Sequence, residues 1–282
     1  MMPRPHIEFI QSQVLPWFDL DAESARPGAT IKVLSHDSET AAGTAIIRYP
    51  EGWVLDEPHH VTGDEEFFVL EGGLTIDDHA FGPYGYGCLP QGFTRRHMAA
   101  PQGAAVLTFF NGPPRRVAGA GVTDLSRLIV VPDSKDKPWT SNFDHGLVGS
   151  GIAIKFLRQD AESGERTWLL TKGPDRQEDL PPTGRTETHP CVEEFFLLEG
   201  ALGWPQGMMR PGAYFWRPPG IDHGPGASLS GYLGLFRSRE GPFETNWSTE
   251  ERPRPFAPRY APVLPASLAH HAAAPYQGSD PY

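Results

Sequence analysis

The sequence predicts an all-β fold made of two tandem barrels. Its 282 residues exceed the usual size of a single domain and leave room for two units of roughly 100 to 120 residues each. The 31 glycines and 30 prolines predict many short strands joined by turns rather than long helices. An internal repeat indicates that the two units arose by duplication.

The repeat is visible in one eight-residue motif. Residues 65–72 read EEFFVLEG and residues 193–200 read EEFFLLEG, an offset of 128 residues (193 − 65). The same offset relates Pro90 to Pro218 further along each copy. Two elements in the same register indicate two copies of one structural unit.

Within each copy, short apolar or β-branched runs bounded by Gly, Pro or Asp predict the strands. In the first copy the runs are residues 44–49, 66–70, 74–76, 86–89 and 104–110, and in the second they are residues 167–170, 194–198, 213–216 and 232–236. The predicted organisation is an N-terminal barrel (1–115), a linker (116–150), a C-terminal barrel (151–240) and a Pro-rich tail (241–282) that wraps a barrel or stays partly disordered.

Charge and hydropathy exclude several classes of partner. A formal net charge of −11 and the lack of a Lys/Arg cluster argue against nucleic acid. No apolar run of about 18 residues predicts a membrane span, and the first residues lack a signal-peptide core, so we expect a cytoplasmic protein. Cys88 and Cys191 are too few for a disulfide framework, and we expect both to be free thiols.

Two further motifs carry a family resemblance. Residues 212–223 read GAYFWRPPGIDH, which is Gly, five residues, then PxGxxH, while Glu65 and Glu193 each precede a Gly by seven positions. These patterns resemble the two motifs of the cupin superfamily over residues 30–110 and 150–238. The EEFFVLEG form is most similar to the zinc-binding anti-sigma-factor cupin and to several bicupins. The resemblance implies two tandem cupin barrels, each a double-stranded β-helix or jelly roll.

The second barrel carries a nearly complete set of metal ligands for this family. His189, Glu193 and His223 occupy three ligand positions of the motif, and Glu187 stands where the first histidine of the pair is expected. Residues two apart on a strand share a face, so Glu187 and His189 point to the same side. The segment 187–189 (ETH) also resembles the metal-binding ETH of ureidoglycine aminohydrolase, a manganese bicupin. We predict that Glu187 is a ligand or a catalytic base; the alternative is a solvated carboxylate at a strand end.

The first barrel departs further from the motif. Pro58 takes the place of one histidine, and Arg95 stands at the position equivalent to His223. Neighbouring histidines suggest a repaired site, and the alternative is a barrel that has lost its metal and serves as a scaffold or lid. The residues of the repaired site would be His59 or His60, Glu65 and His97.

The resemblance implies one divalent metal per active barrel, with Fe(II) favoured and Mn, Zn or Ni as alternatives. The leading functional hypothesis is a dioxygenase acting on a small organic molecule. A metal-dependent hydrolase, isomerase or lyase in which Glu187 moves the proton is the second hypothesis, and a non-catalytic sensor is the third. Cupins often pair barrels edge to edge, which a bicupin can do within one chain, and the resemblance also allows a homodimer. Arg210 and Arg217 are expected to be exposed, although either could bind a substrate carboxylate.

Overall fold

The computed structural model describes residues 4–141 and 151–282, and nearly all their regular structure is β-strand. Up to residue 131 the strands are β1 (Ile7–Gln11), β2 (Phe18–Asp19), β3 (Thr30–His36), β4 (Gly43–Tyr49), β5 (Trp53–Leu55), β6 (His59–Val61), β7 (Glu65–Gly72), β8 (Leu74–Ile76), β9 (His79–Phe81), β10 (Tyr86–Leu89), β11 (Met98–Ala100), β12 (Ala104–Phe110), β13 (Arg116–Ala118) and β14 (Ile129–Val131). From residue 152 they are β15 (Ile152–Gln159), β16 (Arg166–Lys172), β17 (Thr183–Thr188), β18 (Val192–Gly200), β19 (Leu202–Trp204), β20 (Gly207–Met209), β21 (Ala213–Arg217), β22 (Tyr232–Arg239) and β23 (Asn246–Pro253). The all-β prediction is confirmed.

The helical segments are short and of the 3-10 type. They are Ser12–Val14, Leu125–Arg127, Ser134–Asp136, Gln177–Asp179 and Ala266–Ala273. No helix among the described residues is both long and apolar enough to cross a membrane.

The chain divides into two compact units. The first unit contains Arg4 and Leu15–Asp136. Its main sheet has the strand order β14-β10-β7-β12-β4-β3-β2, and a smaller sheet has the order β5-β11-β8-β9. Side chains from both sheets form one core, with Phe67 and Val69 of β7 in the same cluster as Ile76 and Met98. Phe67 and Val69 are two apart and share this face, as the period of a strand requires.

The second unit contains Pro5–Val14 and Lys137–Tyr282. Its main sheet has the order β1-β21-β18-β22-β16-β15, accompanied by the pairs β17-β23 and β19-β20. Phe195 and Leu197 of β18 lie in a core cluster with Phe9, Leu202 and Phe215.

The glycine that ends each copy of the repeated motif has a steric reason. Gly72 and Gly200 have φ of +69° and +78°, and a Cβ at either position would lie 2.1 Å from the carbonyl oxygen of Gly103 or Gly231 respectively. Only glycine tolerates both the left-handed backbone and this close approach of the neighbouring chain. The motif therefore ends at the same bend of the strand in both units.

Backbone pairing shows that the two units are equivalent position by position. In each unit the strand that carries the repeated glutamate (β7 or β18) pairs with the strand that precedes the PxG segment (β10 or β21). A separate backbone bridge joins the two segments that carry the predicted metal ligands. The pairs are Glu65↔Leu89, His59↔Arg95, Glu193↔Arg217 and Glu187↔His223, and the offset of 128 holds for all.

The unit boundaries differ from the predicted ones at three places. Residues 5–14, predicted in the first barrel, belong to the second unit because the fully buried strand β1 pairs with β21. Most of the predicted linker belongs to the first unit, where β13 pairs with β6 and β14 with β10. In the predicted tail, β23 pairs with β17. Residues 142–150 of the predicted linker lie outside the described residues.

Candidate metal centre

Strand β17 and the turn after β21 bring the predicted ligands of the second unit together. Glu187 and His223 form an antiparallel bridge in which each backbone N–H donates to the other's carbonyl oxygen at 3.0 Å. His189 lies two residues after Glu187, and Glu193 lies near the start of β18. The bridge fixes Glu187 beside His223 even though 36 positions (223 − 187) separate them in the chain.

Three of these side chains form a group with metal-binding geometry. One ligand atom each from Glu187, His189 and His223 lies within 4.8 Å of the others. His223 Nε2 is 3.8 Å from Glu187 Oε1, and the centroids of the two imidazoles are 4.9 Å apart. Both histidines are buried. The prediction that Glu187 faces the same centre as the histidines agrees with this arrangement, while its role as a ligand remains a proposal.

Hydrogen bonds fix the orientation of both imidazoles. His189 Nδ1 lies 2.8 Å from the carbonyl oxygen of Glu244, and His223 Nδ1 lies 2.9 Å from that of Ile221. Since a carbonyl oxygen only accepts, Nδ1 carries the proton in each ring and Nε2 presents its lone pair to the centre. Backbone carbonyls behind metal-binding histidines commonly have this function.

The protonation states also suit a cation. Burial and the charge of Arg217 lower the pKa of His223 to about 4, so its ring is neutral at physiological pH. Burial, together with the neighbouring charge of Glu193, raises the pKa of Glu187 to about 8. Glu187 therefore holds a proton near neutral pH, and a bound cation would displace that proton because the carboxylate is the ligand form.

Glu193 lies beside the group and has a second partner. Its Oε2 is 3.5 Å from His223 Nε2 and 3.8 Å from His189 Nε2. The same oxygen accepts a hydrogen bond from Arg217 Nη1. Burial alone would raise the pKa of Glu193, but the charge of Arg217 holds it below its ordinary value. Glu193 is thus a carboxylate shared between the histidines and a guanidinium.

Arg217 was predicted to be exposed, and the structure corrects this. Its side chain is only 2% exposed, and besides Glu193 it binds Glu8 of β1 through Nε and Nη2. The sequence contained a signal that Arg217 is buried, because it ends strand β21, whose other residues are apolar or aromatic. Glu8 had no local signal, since it is 209 positions from Arg217.

The group lies in a cavity of about 450 Å³. Much of its wall is aromatic, and the Phe243 ring centroid lies 4.1 Å from that of His189. The aromatic lining residues are Trp168, Trp204, Phe215, Tyr232, Phe236, Phe243 and Trp247. Charged side chains also line it, among them Lys172, Asp175, Arg185 and Arg254. The cavity admits a small, largely apolar molecule to the side of the imidazoles.

The cysteines do not take part in this group. Cys88 and Cys191 are both buried free thiols, as expected. Burial and the charge of Glu193 raise the pKa of Cys191 to about 12, which keeps it protonated. Its surroundings are those of a buried thiol rather than of a thiolate ligand.

The first unit does not assemble its predicted metal site. Among the described residues, the second-unit triad is the only group of three or more His, Cys, Asp or Glu side chains with metal-binding geometry. Glu65 is bound by Arg26 and Arg95, and His97 is 44% exposed and pairs with Asp56. His60 is directed to the carbonyl oxygen of Gly119, while His59 is buried. The physical reason is that two guanidinium groups already neutralise Glu65 and would repel a metal ion.

Comparison with protein families agrees with this architecture. Residues 6–114 match the family model of the ChrR cupin-like domain. The matched segment is less than half of the chain, and it is similar to a cupin-like domain, as the repeated motif is. No protein of curated function matches the chain in sequence.

Several solved structures resemble most of this chain in fold. A Nostoc punctiforme protein with a provisional dioxygenase assignment has a TM-score of 0.73 at 18% identity, covering 91% of this chain and 92% of that one. Oxalate decarboxylase from Lactobacillus farciminis has a TM-score of 0.53 at 10% identity, covering 85% and 88%. Salicylate 1,2-dioxygenase from Pseudoaminobacter salicylatoxidans has a TM-score of 0.51 at 12% identity, covering 76% and 74%. At these identities the similarity is one of fold.

Proposed function

We propose that the second unit is a metal-dependent catalytic centre that acts on a small organic molecule, with dioxygenation as the favoured reaction. The observation that carries the proposal is the convergence of Glu187, His189 and His223 in an aromatic-walled cavity. A buried group of this kind is costly without a cation, because its polar atoms have lost water. In a cavity open to a ligand, the same group supports catalysis.

The residues present fit a divalent metal. Glu187, His189 and His223 would hold it, and three protein ligands leave coordination positions open for other molecules. Two imidazoles and one carboxylate suit Fe(II), our favoured ion, and also Mn, Zn or Ni. Such an ion supplies Lewis acidity and, as iron, the redox chemistry of dioxygen.

The chain's own residues would orient the substrate and exclude water. Aromatic rings such as Phe243 and Trp168 offer flat, apolar faces to a planar substrate, and their bulk keeps bulk solvent from the imidazoles. Arg217 keeps Glu193 ionised beside the histidines, so the field at the centre favours a cation. Two of the structural neighbours are named as dioxygenases, which supports this reaction class.

A second candidate is metal-assisted hydrolysis, isomerisation or elimination. Burial and the charge of Glu193 raise the pKa of Glu187 to about 8, which places its proton exchange near neutral pH, as a general acid or base requires. One structural neighbour is named as an oxalate decarboxylase, which supports a reaction class other than dioxygenation. A non-catalytic small-molecule or metal sensor is the third candidate.

We further propose a cytoplasmic protein whose partner is a small molecule rather than nucleic acid or membrane, and which forms a homodimer. The net charge of −11 supports the exclusion of nucleic acid.

The test is metal analysis of untagged protein, followed by oxygen uptake with a panel of catechols and hydroxybenzoates. We expect about one metal per chain, lost in His189→Ala and retained in His60→Ala, the matched histidine variant of the first unit. Oxygen uptake that needs iron supports dioxygenation. Turnover under nitrogen with manganese or zinc supports the second candidate. Absence of metal after repletion with all four ions would overturn both enzymatic candidates.

A further inference from the structure

The first unit contains a buried excess of positive charge. Arg26 and Arg95 are each 1% exposed, and within the described part of the chain their only acidic partner is Glu65. Arg26 Nη2 lies 2.6 Å from both carboxylate oxygens, and Arg26 Nε donates to the Tyr49 hydroxyl at 3.1 Å. Two guanidinium groups and one carboxylate leave one positive charge without a counterion. Such a charge is expensive in a protein interior.

Two polar atoms in the same region lack partners. Arg95 Nε and His59 Nε2 are buried without a hydrogen bond, and the two residues are joined by their backbone bridge. Burial and the charges of Arg26, Arg95 and Arg116 lower the pKa of His59, so its ring is neutral. Buried groups without partners call for a ligand, water or ion. The surrounding guanidinium groups select an anion over a cation.

A cavity reaches this cluster at Arg26, while Arg95 and His59 are not among its lining residues. It measures about 590 Å³ and is lined by Arg26, Arg115 and Arg116. Its apolar wall contains Leu20, Ile31, Ile47 and Phe110. Ile31 of β3 pairs with Ile47 of β4. The corresponding pair in the second unit is Ile154 and Leu170, and both residues line the metal cavity. This is therefore the first unit's counterpart of the mouth of the metal cavity.

The other charged groups at this cavity are weaker neighbours. Asp21 and Glu23 also line it, but both are exposed, and Asp21 Oδ1 accepts backbone hydrogen bonds from Glu23 and Ser24. Arg116 Nη2 donates to the Ala22 carbonyl oxygen at 2.6 Å, and Nη1 is 3.6 Å from the exposed Glu57. Water screens exposed carboxylates, whereas the buried charge of Arg26 is screened far less.

We propose that the first unit binds a small organic carboxylate in this cavity, with the carboxylate toward Arg26 and Arg116 and its apolar part against Ile31, Ile47 and Phe110. The ligand's charge offsets the excess positive charge of the Arg26, Arg95 and Glu65 cluster. Guanidinium groups bind carboxylates with charge-assisted and often bidentate hydrogen bonds. The site needs no metal and is separate from the proposed catalytic centre.

Calorimetric titration of the full-length, metal-free protein tests the proposal, with hexanoate as the probe and hexanamide as its uncharged counterpart. A His223→Ala background removes the proposed metal centre of the second unit from consideration. We expect hexanoate to bind one site per chain and hexanamide not to bind. Arg116→Ala and Arg115→Ala each remove one cation and should weaken hexanoate by about tenfold. Arg96→Ala, an exposed arginine of the same unit that does not line the cavity, should leave the affinity unchanged.

Three outcomes would overturn the proposal. The first is that hexanoate does not bind at concentrations up to about 10 mM, because an affinity below that limit is too weak for a specific carboxylate site. The second is equal affinity for the acid and the amide, which would show that charge is not recognised. The third is binding that Arg96→Ala weakens as much as Arg115→Ala and Arg116→Ala do, which would indicate a general effect of net charge. The three arginine variants change exposed or half-exposed side chains of the first unit and should fold.

Discussion

The two units differ chemically at a few single residues that occupy equivalent positions in the fold. In the second unit two histidines and two glutamates meet, while in the first a valine and an arginine replace the histidines. A retained buried glutamate needs a positive partner, which is Arg26 and Arg95 for Glu65 and Arg217 for Glu193. The equivalent pairs are His59 and Glu187, Val61 and His189, Glu65 and Glu193, and Arg95 and His223.

The first prediction concerns Glu187. Glu187→Gln removes the anionic ligand of the triad but keeps its size, so metal affinity should fall by at least about tenfold. Competition with a chromogenic chelator measures the affinity. Glu178→Gln, an exposed glutamate of the same unit, is the control. Equal affinity in wild type and Glu187→Gln would restore the interpretation of Glu187 as a carboxylate beside the site.

Arg217 sets a second prediction at this scale. Arg217→Met leaves Glu8 and Glu193 buried without their guanidinium, and should lower the free energy of unfolding of the second unit by about 3–5 kcal/mol. Arg252→Met removes the exposed pair with Asp222 and should change it by less than about 1 kcal/mol. Chemical denaturation followed by fluorescence measures both. Similar losses in the two variants would contradict a special role for the buried pair.

Acid stability follows from the same cluster. Burial would raise the pKa of Glu8, but the charge of Arg217 lowers it from 4.5 to about 2. A pKa depressed in the folded state contributes stability that is complete above the unfolded value of 4.5 and is lost as the pH falls toward 2. Glu8→Gln should therefore flatten the decrease in stability of the second unit between these pH values. A pH titration of unfolding measures the slope, and an unchanged slope would exclude Glu8 as a source.

At the scale of elements, strand β1 links the start of the chain to the candidate metal centre. This strand of five buried residues forms an edge of the second unit's main sheet by pairing with β21. It also delivers Glu8 to Arg217, which in turn binds Glu193 beside the imidazoles. A segment from the start of the chain thus completes the electrostatic environment of the candidate metal centre.

Two phenylalanines near the N-terminus test the importance of β1. Phe9→Ala empties a position that is 0% exposed in the second core and should cost about 3–5 kcal/mol of stability. Phe18→Ala changes a residue that is 55% exposed and should cost within about 0.5 kcal/mol. Thermal and chemical unfolding give the comparison. A small effect of Phe9→Ala would mean that β1 is not an integral strand of the second unit.

At the scale of the whole molecule, the duplicated units have different interiors. The first packs large side chains such as Phe67, Phe81 and Met98 between its sheets and has an arginine-lined cavity of about 590 Å³. The second keeps a cavity of about 450 Å³ beside its imidazoles. The duplication therefore preserved the strands while the two interiors diverged.

Because the candidate metal ligands among the described residues lie only in the second unit, we predict that metal binding stabilises that unit and not the first. A ligand that binds only the folded state adds about 2.7 kcal/mol of stability at one hundred times its dissociation constant. We expect Fe(II) or Mn(II) to slow hydrogen exchange in peptides covering residues 185–223, and to leave residues 59–98 unchanged. Exchange measured by mass spectrometry, with His189→Ala as control, distinguishes the regions. Equal protection of both would revive the metal site of the first unit.

Much of the fold and part of the site were determined by the sequence itself. The repeated motif, its terminal glycine and the turn residues are local signals. The strands lie where these signals predicted them, for example at residues 74–76 and 86–89. Alternation along a strand also placed Glu187 and His189 on one face, whereas the backbone bridge between Glu187 and His223 completed the group.

Only the tertiary structure decided which charges meet inside each unit. It placed β1 in the second unit, buried Arg217 between Glu8 and Glu193, and used Arg26 and Arg95 to fill the first unit's site. These contacts join residues that are far apart in the chain, and no local pattern records such partners. The physical reason is that burying a charge depends on what the fold brings against it, whereas strand formation depends mainly on neighbouring residues.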